Sequence, residues 1–422
     1  MKEPGGLDRR GRRQAALTLL LARIVYAFNW YNVGAVLPLI GSQLGASTFE
    51  LGLVLGAFLL GAGIFQVPAG LAALRWGNRS VSLFSLLLMG GFSLASAFAP
   101  NWEWLAVLRF GAGAGAAFFF APALGLVTSY YNAGSRGPMV GLFNSGFSIG
   151  SGIGLFGGAL VGEVYGWPLA LGIGGAVLLA MAAIAPFGLP RVGAPPPRRP
   201  LRQLWDAATP IFSSRSIWAL SVGTSGLWAA FYAAAQYFTD FAHAVHPGWS
   251  VALAAGVPTV MILLEVPGGP IGGWLGERAT KMRRVILAWG IASGLGILLI
   301  PVLPFGALIG LFVFLGFADG VVFAVLYLIP SYLPESHGES LALGLAVVNS
   351  IQIFLGSALA IVFGYLAGTY GYSYAWWFAA TIALAPLPLL LWVSGRGGDV
   401  ATAFVRPRAR RPPSVRLPDP PA

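Results

Sequence analysis

The sequence predicts an all-α membrane protein with twelve transmembrane helices in two pseudo-symmetric six-helix halves. The 422-residue chain is 57% hydrophobic and only 9% charged, whereas a soluble protein carries about 25% charged residues. Apolar runs of about 20 residues, each long enough to cross a bilayer, recur along the chain. We count twelve such runs, at 15–40, 50–72, 80–99, 102–130, 137–161, 167–190, 215–240, 250–274, 282–300, 304–329, 341–366 and 373–395.

The placement of positive charge supports the same count independently of hydropathy. The net charge is +11, and the Lys and Arg residues outside the apolar runs all fall on one side of a twelve-span arrangement. The six loops on the other side contain no Lys or Arg. This distribution is the positive-inside rule, which predicts a cytoplasmic-membrane protein with both termini in the cytoplasm. The basic segments are expected to contact anionic lipid rather than nucleic acid.

The chain divides into five segments. The first apolar run follows a basic leader, but it is too long for a signal peptide and is interpreted as a retained helix. A Pro-rich stretch separates the two sets of six spans and cannot be a buried helix. The predicted segments are a basic cytoplasmic N-terminus at 1–14, a six-helix bundle at 15–190, a cytoplasmic linker at 191–214, a second six-helix bundle at 215–395, and a Pro/Arg-rich cytoplasmic tail at 396–422.

The two halves repeat one another at three places, with offsets of 199, 205 and 205 residues. A membrane chain that repeats itself half against half is typically a carrier with its binding site between the halves. The matched pairs are Gln66-Val67-Pro68 with Glu265-Val266-Pro267, Asn144-Ser145 with Asn349-Ser350, and Tyr165-Gly166 with Tyr370-Gly371.

Two short motifs make the chain resemble the major facilitator superfamily of secondary transporters over nearly its whole length. The loop pattern G-x-x-x-D-R-x-G-R appears in altered form at 70–79, with Leu74 in place of the acid, and a second copy at 273–278 keeps an acid at Glu277. The span-four pattern R-x-x-x-G-x-G matches 109–115. The resemblance implies a cavity lined by spans one, four, seven and ten.

The resemblance also implies a gate at the cytoplasmic ends of the helices. In members of the superfamily, the acid and the arginines of the loop motif connect the cytoplasmic ends of neighbouring helices. The corresponding residues here are Arg75, Arg79, Glu277 and Arg278. The loss of the acid at Leu74 weakens this expectation for the first half, where the arginines can alternatively serve membrane topology alone.

One intramembrane cation is the leading candidate for substrate binding. Arg109 in span four stays charged in any protein environment, and a charged group at mid-membrane is costly enough to need a role. It is predicted to bind a carboxylate, or alternatively to clamp helices through backbone carbonyls. Arg23 in span one is expected to reach toward the cytoplasmic surface. Polar and aromatic residues predicted to line the same site are Tyr26, Asn29, Trp228, Tyr232 and Gln236.

Two acids within the second half are candidates for proton coupling. Asp319 lies near the middle of span ten, and Glu265 lies in the inner half of span eight. The position of the first repeat that matches Glu265 is the neutral Gln66. A buried carboxyl group can take up and release a proton as its surroundings change. The alternative for Asp319 is a fixed structural acid, and the alternative for Glu265 is an ion pair with a cytoplasmic arginine.

Span five carries a glycine at every fourth position. Small residues at this spacing allow two helix backbones to approach closely. The resemblance implies that the partner is span eight, across the boundary between the halves. The residues of this glycine column are Gly146, Gly150, Gly154, Gly158 and Gly162.

No cofactor or metal is expected. The chain has no Cys, its three His fall in loops, and it contains no G-x-x-x-x-G-K-[ST] motif. Without a nucleotide-binding loop, an ion gradient is the expected energy source, and no catalytic set of residues indicates an enzyme.

The sequence therefore predicts a monomeric secondary transporter that moves a small organic solute by alternating access. An organic anion such as a carboxylate, coupled to protons in symport, is the favoured cargo, because one fixed cation lies among amides and aromatic rings. A proton-coupled exporter of lipophilic drug-like compounds is the first alternative. A solute sensor that kept the carrier fold but lost turnover is the alternative of another class.

Overall fold

A computed structural model of the protein describes residues 7–131, 133–191, 201–279, 281–333 and 340–393. Helices account for nearly all of these described residues, and none of them forms a strand. The predicted tail at 396–422, residues 192–200 of the linker and residues 1–6 of the N-terminal segment lie outside the described residues. Within the described part, eleven helices are long and apolar enough to span a membrane, or twelve counting one bent pair. The predicted all-α, twelve-helix fold is confirmed.

The first half contains six spans, of which three are interrupted. Span one bends by 53° between its two helices, and span five contains a π-helical turn at Ile153–Gly157. The helices are Arg9–Ala35 and Leu37–Leu44 in span one, Thr48–Trp76 in span two, Asn78–Ser96 in span three, Trp102–Ala117 and Phe120–Tyr130 in span four, Ala133–Gly152 and Gly158–Tyr165 in span five, and Trp167–Gly188 in span six.

The second half also contains six spans, preceded by the short helix Leu201–Phe212. Span ten ends in a 3₁₀ turn at Ile329–Tyr332, and span twelve continues into one at Leu387–Trp392. The helices are Arg215–Val245 in span seven, Val251–Arg278 in span eight, Met282–Leu299 in span nine, Phe305–Leu328 in span ten, Ser340–Tyr370 in span eleven and Tyr372–Leu384 in span twelve.

Polar caps explain where several spans begin. Ser47, Asn101, Ser214 and Ser250 each accept a backbone N–H of the first helical turn through the side chain. At Ser47 the arrangement is a full capping box, because Glu50 in turn accepts the Ser47 N–H at 2.7 Å. These bonds satisfy backbone donors that the bilayer could not solvate.

The internal repeat of the sequence is also a repeat of structure. Gly166 and Gly371 occupy equivalent turns before spans six and twelve, with φ of 87° and 95°. A residue with a Cβ is strained at such angles, which is why both repeats place glycine there. Arg79 donates to the carbonyls of Pro186 and Leu189 at the end of span six.

Arg283 repeats this clamp in the second half. Its Nη1 donates to the carbonyls of Leu391 and Val393 at the end of span twelve, at 2.9 and 3.0 Å. Helix C-termini leave carbonyls without an internal partner, and arginine is well suited to bind them. The sequence offset of this pair, 204 residues, agrees with the offsets of the matched motifs.

The halves are packed together at the end of the bundle away from Arg9, which we call the distal end. The Gln236 Nε2 donates to the Trp30 carbonyl at 2.8 Å, joining span seven to span one. A Cβ at Gly34 would lie 1.9 Å from the Gln236 Oε1 and 2.9 Å from its Cα. Spans two and eleven also meet there, because a Cβ at Gly52 would lie 3.1 Å from the Ala360 carbonyl oxygen. The Tyr237 hydroxyl of span seven donates to the same carbonyl at 2.6 Å.

The glycine column of span five packs against span one, so the expectation that it faces span eight was wrong. Cβ atoms at Gly150 and Gly154 would lie 2.1 and 2.5 Å from the carbonyl oxygens of Ile24 and Phe28. The other members, Gly146, Gly158 and Gly162, likewise meet span-one residues. Span eight instead contacts the neighbouring face of span five, at Ser148 and Gly152. Glycine spacing reveals a close approach, but it does not reveal which helix approaches.

Candidate functional site

Aromatic side chains from both halves meet at the centre of the molecule. Tyr31 of span one lies 5.8 Å from Tyr232 of span seven, measured between ring centroids, and Trp228 stacks on Tyr232 at 5.5 Å. Phe147 of span five lies 6.1 Å from Tyr31 on the other side. Tyr232 is 2% exposed, and Trp228 is partly buried. We call these four residues the aromatic bridge, because they connect the two halves at mid-depth.

Arg109 lies beside this bridge in a buried position. Its side chain is 2% exposed, and its Nη2 donates to the Asn29 carbonyl at 3.1 Å. The guanidinium carbon sits 4.3 Å from the centroid of the Phe58 ring. Tyr232 lies within electrostatic range of the Arg109 charge. Arg109 therefore clamps a backbone carbonyl and lies near the boundary between the halves. Carboxylate binding by Arg109 stays a prediction.

Three other predicted lining residues occupy different places. Tyr26 is buried, and its hydroxyl donates to the Ala116 carbonyl at 3.2 Å. Gln236 lies among the contacts that join the halves at the distal end, which we call the distal closure, and its Oε1 has no hydrogen-bond partner among the described residues. Asn29 points into the first bundle, where its Nδ2 donates to Gly174 at 3.0 Å. The structure therefore brings Arg109, Trp228 and Tyr232 together but does not bring the Asn29 side chain to them.

The two predicted acids are neighbours where spans eight and ten cross. A Cβ at Gly320 would lie 2.5 Å from the Glu265 carbonyl oxygen, which places Asp319 and Glu265 on adjoining turns. Tyr31 of the first half lies within electrostatic range of both carboxyl groups. Neither acid forms an ion pair with any cation in the described part of the chain. The acids thus face each other and the aromatic bridge without a fixed positive partner.

Glu265 also joins the two halves directly. The Ser148 hydroxyl of span five donates to the Glu265 Oε2 at 3.0 Å. This contact must break if the halves separate at the level of Glu265. The equivalent of Glu265 in the first repeat is Gln66 of span two, which is 3% exposed.

A small cavity borders Asp319 inside the second bundle. Its volume is about 10 Å³, close to what a single water molecule requires. Ser293 of span nine also lines it and is 8% exposed, and its hydroxyl has no partner among the residues that the structure describes. Other lining residues include Phe231 and Met261. A polar pair around a water-sized space can hold a water molecule next to the carboxyl group.

Arg23 is buried, so the expectation that it reaches toward the membrane surface was wrong. It is 6% exposed and its guanidinium carbon lies within 5.1 Å of the centroids of four aromatic rings. The rings hold the side chain inside because they contribute cation–π attraction in place of water. We call this group the Arg23 cage, formed by Tyr26, Phe120, Phe143 and Phe147.

The predicted gate residues are found at the proximal end, opposite the distal closure. Arg79 is the helix clamp described above, acting within the first half. Arg75 and Arg278 are exposed and lie over Trp76 and Trp274, with guanidinium-to-ring distances of 5.8 and 4.3 Å. Glu277 is also exposed. A latch between these residues remains a prediction, because the contacts described for Arg75, Arg79 and Arg278 all lie within their own halves.

Sequence reasoning missed several residues of the central region. Tyr31 follows Trp30 directly in span one, and Phe143 and Phe147 are spaced four apart beside the glycine column. That spacing places two aromatic rings on one helix face, so it could have predicted an aromatic cluster on span five. Gln352, whose Nε2 donates to the Thr224 hydroxyl at 2.7 Å across spans eleven and seven, had no comparable signal.

Twelve spans in two repeated halves, with ionisable groups held where the halves meet, define a membrane carrier. The sequence profile of the Major Facilitator Superfamily matches residues 19–353. The chain belongs to this family. Its fold and family are those of membrane transporters rather than enzymes, and a small-molecule substrate follows from that class.

Two curated relatives from Pseudomonas putida show the range of similarity. The chain is 33% identical over 181 residues to the 4-hydroxybenzoate transporter PcaK, covering 42% of this chain and 40% of the relative. It is 31% identical over 177 residues to a gallate transporter, covering 41% of this chain and 39% of the relative. The matched region thus spans about two-fifths of the length of these relatives.

A solved structure shares the fold over nearly the whole chain. It is a bacterial homologue of the human lysosomal transporter Spinster, in an inward-facing and unoccupied conformation. The TM-score is 0.70 at 18% identity, covering 92% of this chain and 96% of that one. At this identity the likeness concerns the fold alone.

Proposed function

We propose that the protein carries small organic anions, in particular carboxylates, across the cytoplasmic membrane by alternating access, with protons as the coupling ion. The observation that carries this proposal is the division of charge at the centre. A fixed cation, Arg109, lies on one side of the aromatic bridge, and the acids Asp319 and Glu265 lie on the other. A substrate carboxylate and a proton can therefore be bound in neighbouring places by different halves.

The named substrates of the relatives favour the same chemistry. Both 4-hydroxybenzoate and gallate are aromatic carboxylates. A guanidinium binds a carboxylate through two parallel hydrogen bonds, and the faces of Trp228 and Tyr232 suit a flat ring. In this proposal Arg109 binds the carboxylate, while Tyr26, Asn29, Trp228, Tyr232 and Gln236 shape or support the cavity.

The acids supply the coupling in this proposal. Asp319 takes up a proton with the help of water in the adjoining cavity, and Glu265 connects its charge to the contact with Ser148. The hydrogen bond from Ser148 is strongest when the Glu265 carboxylate is ionised. Protonation of Glu265 therefore weakens this bond and eases separation of the halves. The distal closure is then the barrier on the outer side, and the proximal end with Arg75, Arg79, Glu277 and Arg278 carries the cytoplasmic gate.

Transport in proteoliposomes tests the proposal directly. Radiolabelled 4-hydroxybenzoate is offered to vesicles with an inward proton gradient, with no gradient, and with an ionophore that collapses it. We expect accumulation only with the gradient, and competition by benzoate and gallate but not by the uncharged benzamide. Transport of cationic dyes without any carboxylate competition would overturn the anion assignment. Carboxylate accumulation indifferent to the pH gradient would overturn proton coupling.

A further inference from the structure

The most unusual group outside the proposed Arg109 site is the Arg23 cage. Arg23 is 6% exposed, and its Nε has no hydrogen-bond partner within the described residues. No carboxylate from those residues pairs with it. An arginine cannot lower the cost of burial by losing its proton. A buried cation without a counter-ion is costly, and an ionisable residue within a membrane span is therefore a candidate for a binding role.

The cage lies on the face of the first half that meets the second half. Its Phe120 ring is 6.5 Å from Tyr327 of span ten, and Tyr327 lies within electrostatic range of both Arg23 and Asp319. Its Phe147 ring belongs to the aromatic bridge and touches Tyr31. If the halves part at the proximal end, the cage loses contacts from the second half and Arg23 is uncovered toward the central space.

Arg23 belongs to span one, and Arg109 of span four contacts span one at a different depth. Arg109 binds the carbonyl of Asn29, which is six residues distal to Arg23. At the helical rise of 1.5 Å per residue, the two levels are about 9 Å apart. The first half therefore presents one cation on the distal side and a second, aromatic-lined cation nearer the proximal end.

We propose that Arg23 is a second carboxylate-binding group, which holds an aromatic carboxylate when the site opens at the proximal end. The rings of the cage solvate the guanidinium while the site is empty. An incoming carboxylate replaces this solvation with charge-assisted hydrogen bonds, which are stronger. The substrate ring then packs against Phe143 and Phe147. This inference rests on the proposed function and assigns a second residue to it.

Equilibrium binding of radiolabelled benzoate to purified protein in detergent tests the inference. Arg23→Gln is expected to raise the Kd for benzoate by about tenfold or more, because it removes both the positive charge and the paired N–H donors of the guanidinium. Arg23→Lys keeps the charge but loses the planar fork, so its Kd is expected to fall between those of wild type and Arg23→Gln. Arg283→Lys, at a clamp within the second half, is the matched control and should retain the wild-type Kd.

The outcomes separate the two proposals. If wild-type protein binds and transports no carboxylate, the proposed function fails. If wild type binds benzoate and Arg23→Gln binds it equally well, the Arg23 inference is overturned while the function stands. Should Arg23→Gln not fold, Arg23→Lys decides the matter, since an unchanged Kd overturns the inference and a severalfold increase supports it.

Discussion

The two halves have matching frameworks but different interiors. In the first half Arg79 clamps the end of span six, and in the second half Arg283 clamps the end of span twelve. The buried charges do not follow this symmetry, because Arg23 and Arg109 belong to the first half while the acids belong to the second. The helix clamp is thus common to both halves, whereas the buried charged residues differ between them.

The contrast distinguishes structural charged residues from functional ones. A charged residue with an equivalent in the other half, making equivalent contacts, serves the shared framework. A buried charged residue without an equivalent is a candidate for substrate or proton binding.

Asp319→Asn is predicted to abolish proton-driven accumulation. With one proton per solute, a gradient of one pH unit supports up to about tenfold accumulation, and the amide can no longer carry that proton. We expect the variant to equilibrate substrate without concentrating it, as measured by uptake in proteoliposomes. The control is Asp240→Asn, an acid near the distal end that accepts a hydrogen bond from Tyr372 and should leave accumulation intact. Full accumulation by Asp319→Asn would place the coupling elsewhere.

Gly34→Ala is predicted to open the distal closure. The added Cβ would clash with the Gln236 side chain and come within 2.9 Å of its Cα, so spans one and seven must separate there. Because the chain has no Cys, a single cysteine introduced at Tyr31 can report access from the distal side. Labelling by a membrane-impermeant maleimide should be faster in Gly34→Ala. Gly91→Ala, where nothing lies within 4 Å of the added Cβ, should label like the parent protein.

Arg79→Gln and Arg283→Gln are predicted to destabilise the protein by similar amounts. Each removes two hydrogen bonds from a charged donor, and partial exposure reduces the expected loss to about 1–2 kcal/mol. Thermal unfolding in detergent should show comparable decreases in Tm. Arg284→Gln, at an exposed position, provides the comparison and should shift Tm little. A large decrease for one clamp alone would contradict the symmetry of the framework.

Ser148→Ala is expected to have the smallest effect. Hydrogen bonds between membrane helices contribute about 0.6 kcal/mol on average, which corresponds to a change of roughly threefold in a transport rate. The direction should be faster opening, because the contact with Glu265 is lost. Ser145→Ala removes a bond to Gly141 within the same helix and should not change the rate. A hundredfold effect at Ser148 would show that this contact does more than join the halves.

Local properties of the chain were predictable from its sequence. The spans followed from hydropathy because each helix must satisfy its own backbone in lipid. The repeat followed from matched motifs, and Arg109 and Asp319 were found because charge is rare in apolar runs. Each of these features is encoded in neighbouring residues or in a direct comparison of two segments.

Contacts between distant spans could not be predicted in this way. The Arg23 cage takes rings from spans one, four and five, and no local pattern connects Arg23 with Phe120 or Phe143. Asn29 was assigned to the cavity because of its span, but rotation of the helix turns its amide toward Gly174. The glycine column pointed to close packing without identifying the partner helix. These outcomes depend on how whole helices are rotated and paired.

The π-helical turn at Ile153–Gly157 determines how long the glycine column can stay aligned. Residues four apart on an α-helix are displaced by about 40° per step, so four steps from Gly146 to Gly162 would turn the column about 160° away. A π turn accommodates one inserted residue, which offsets about 100° of this rotation. Deleting one residue within the turn should therefore restore an unbroken α-helix and leave Gly158 and Gly162 facing span one, so this shortening is expected to be tolerated where a deletion elsewhere in the span is not.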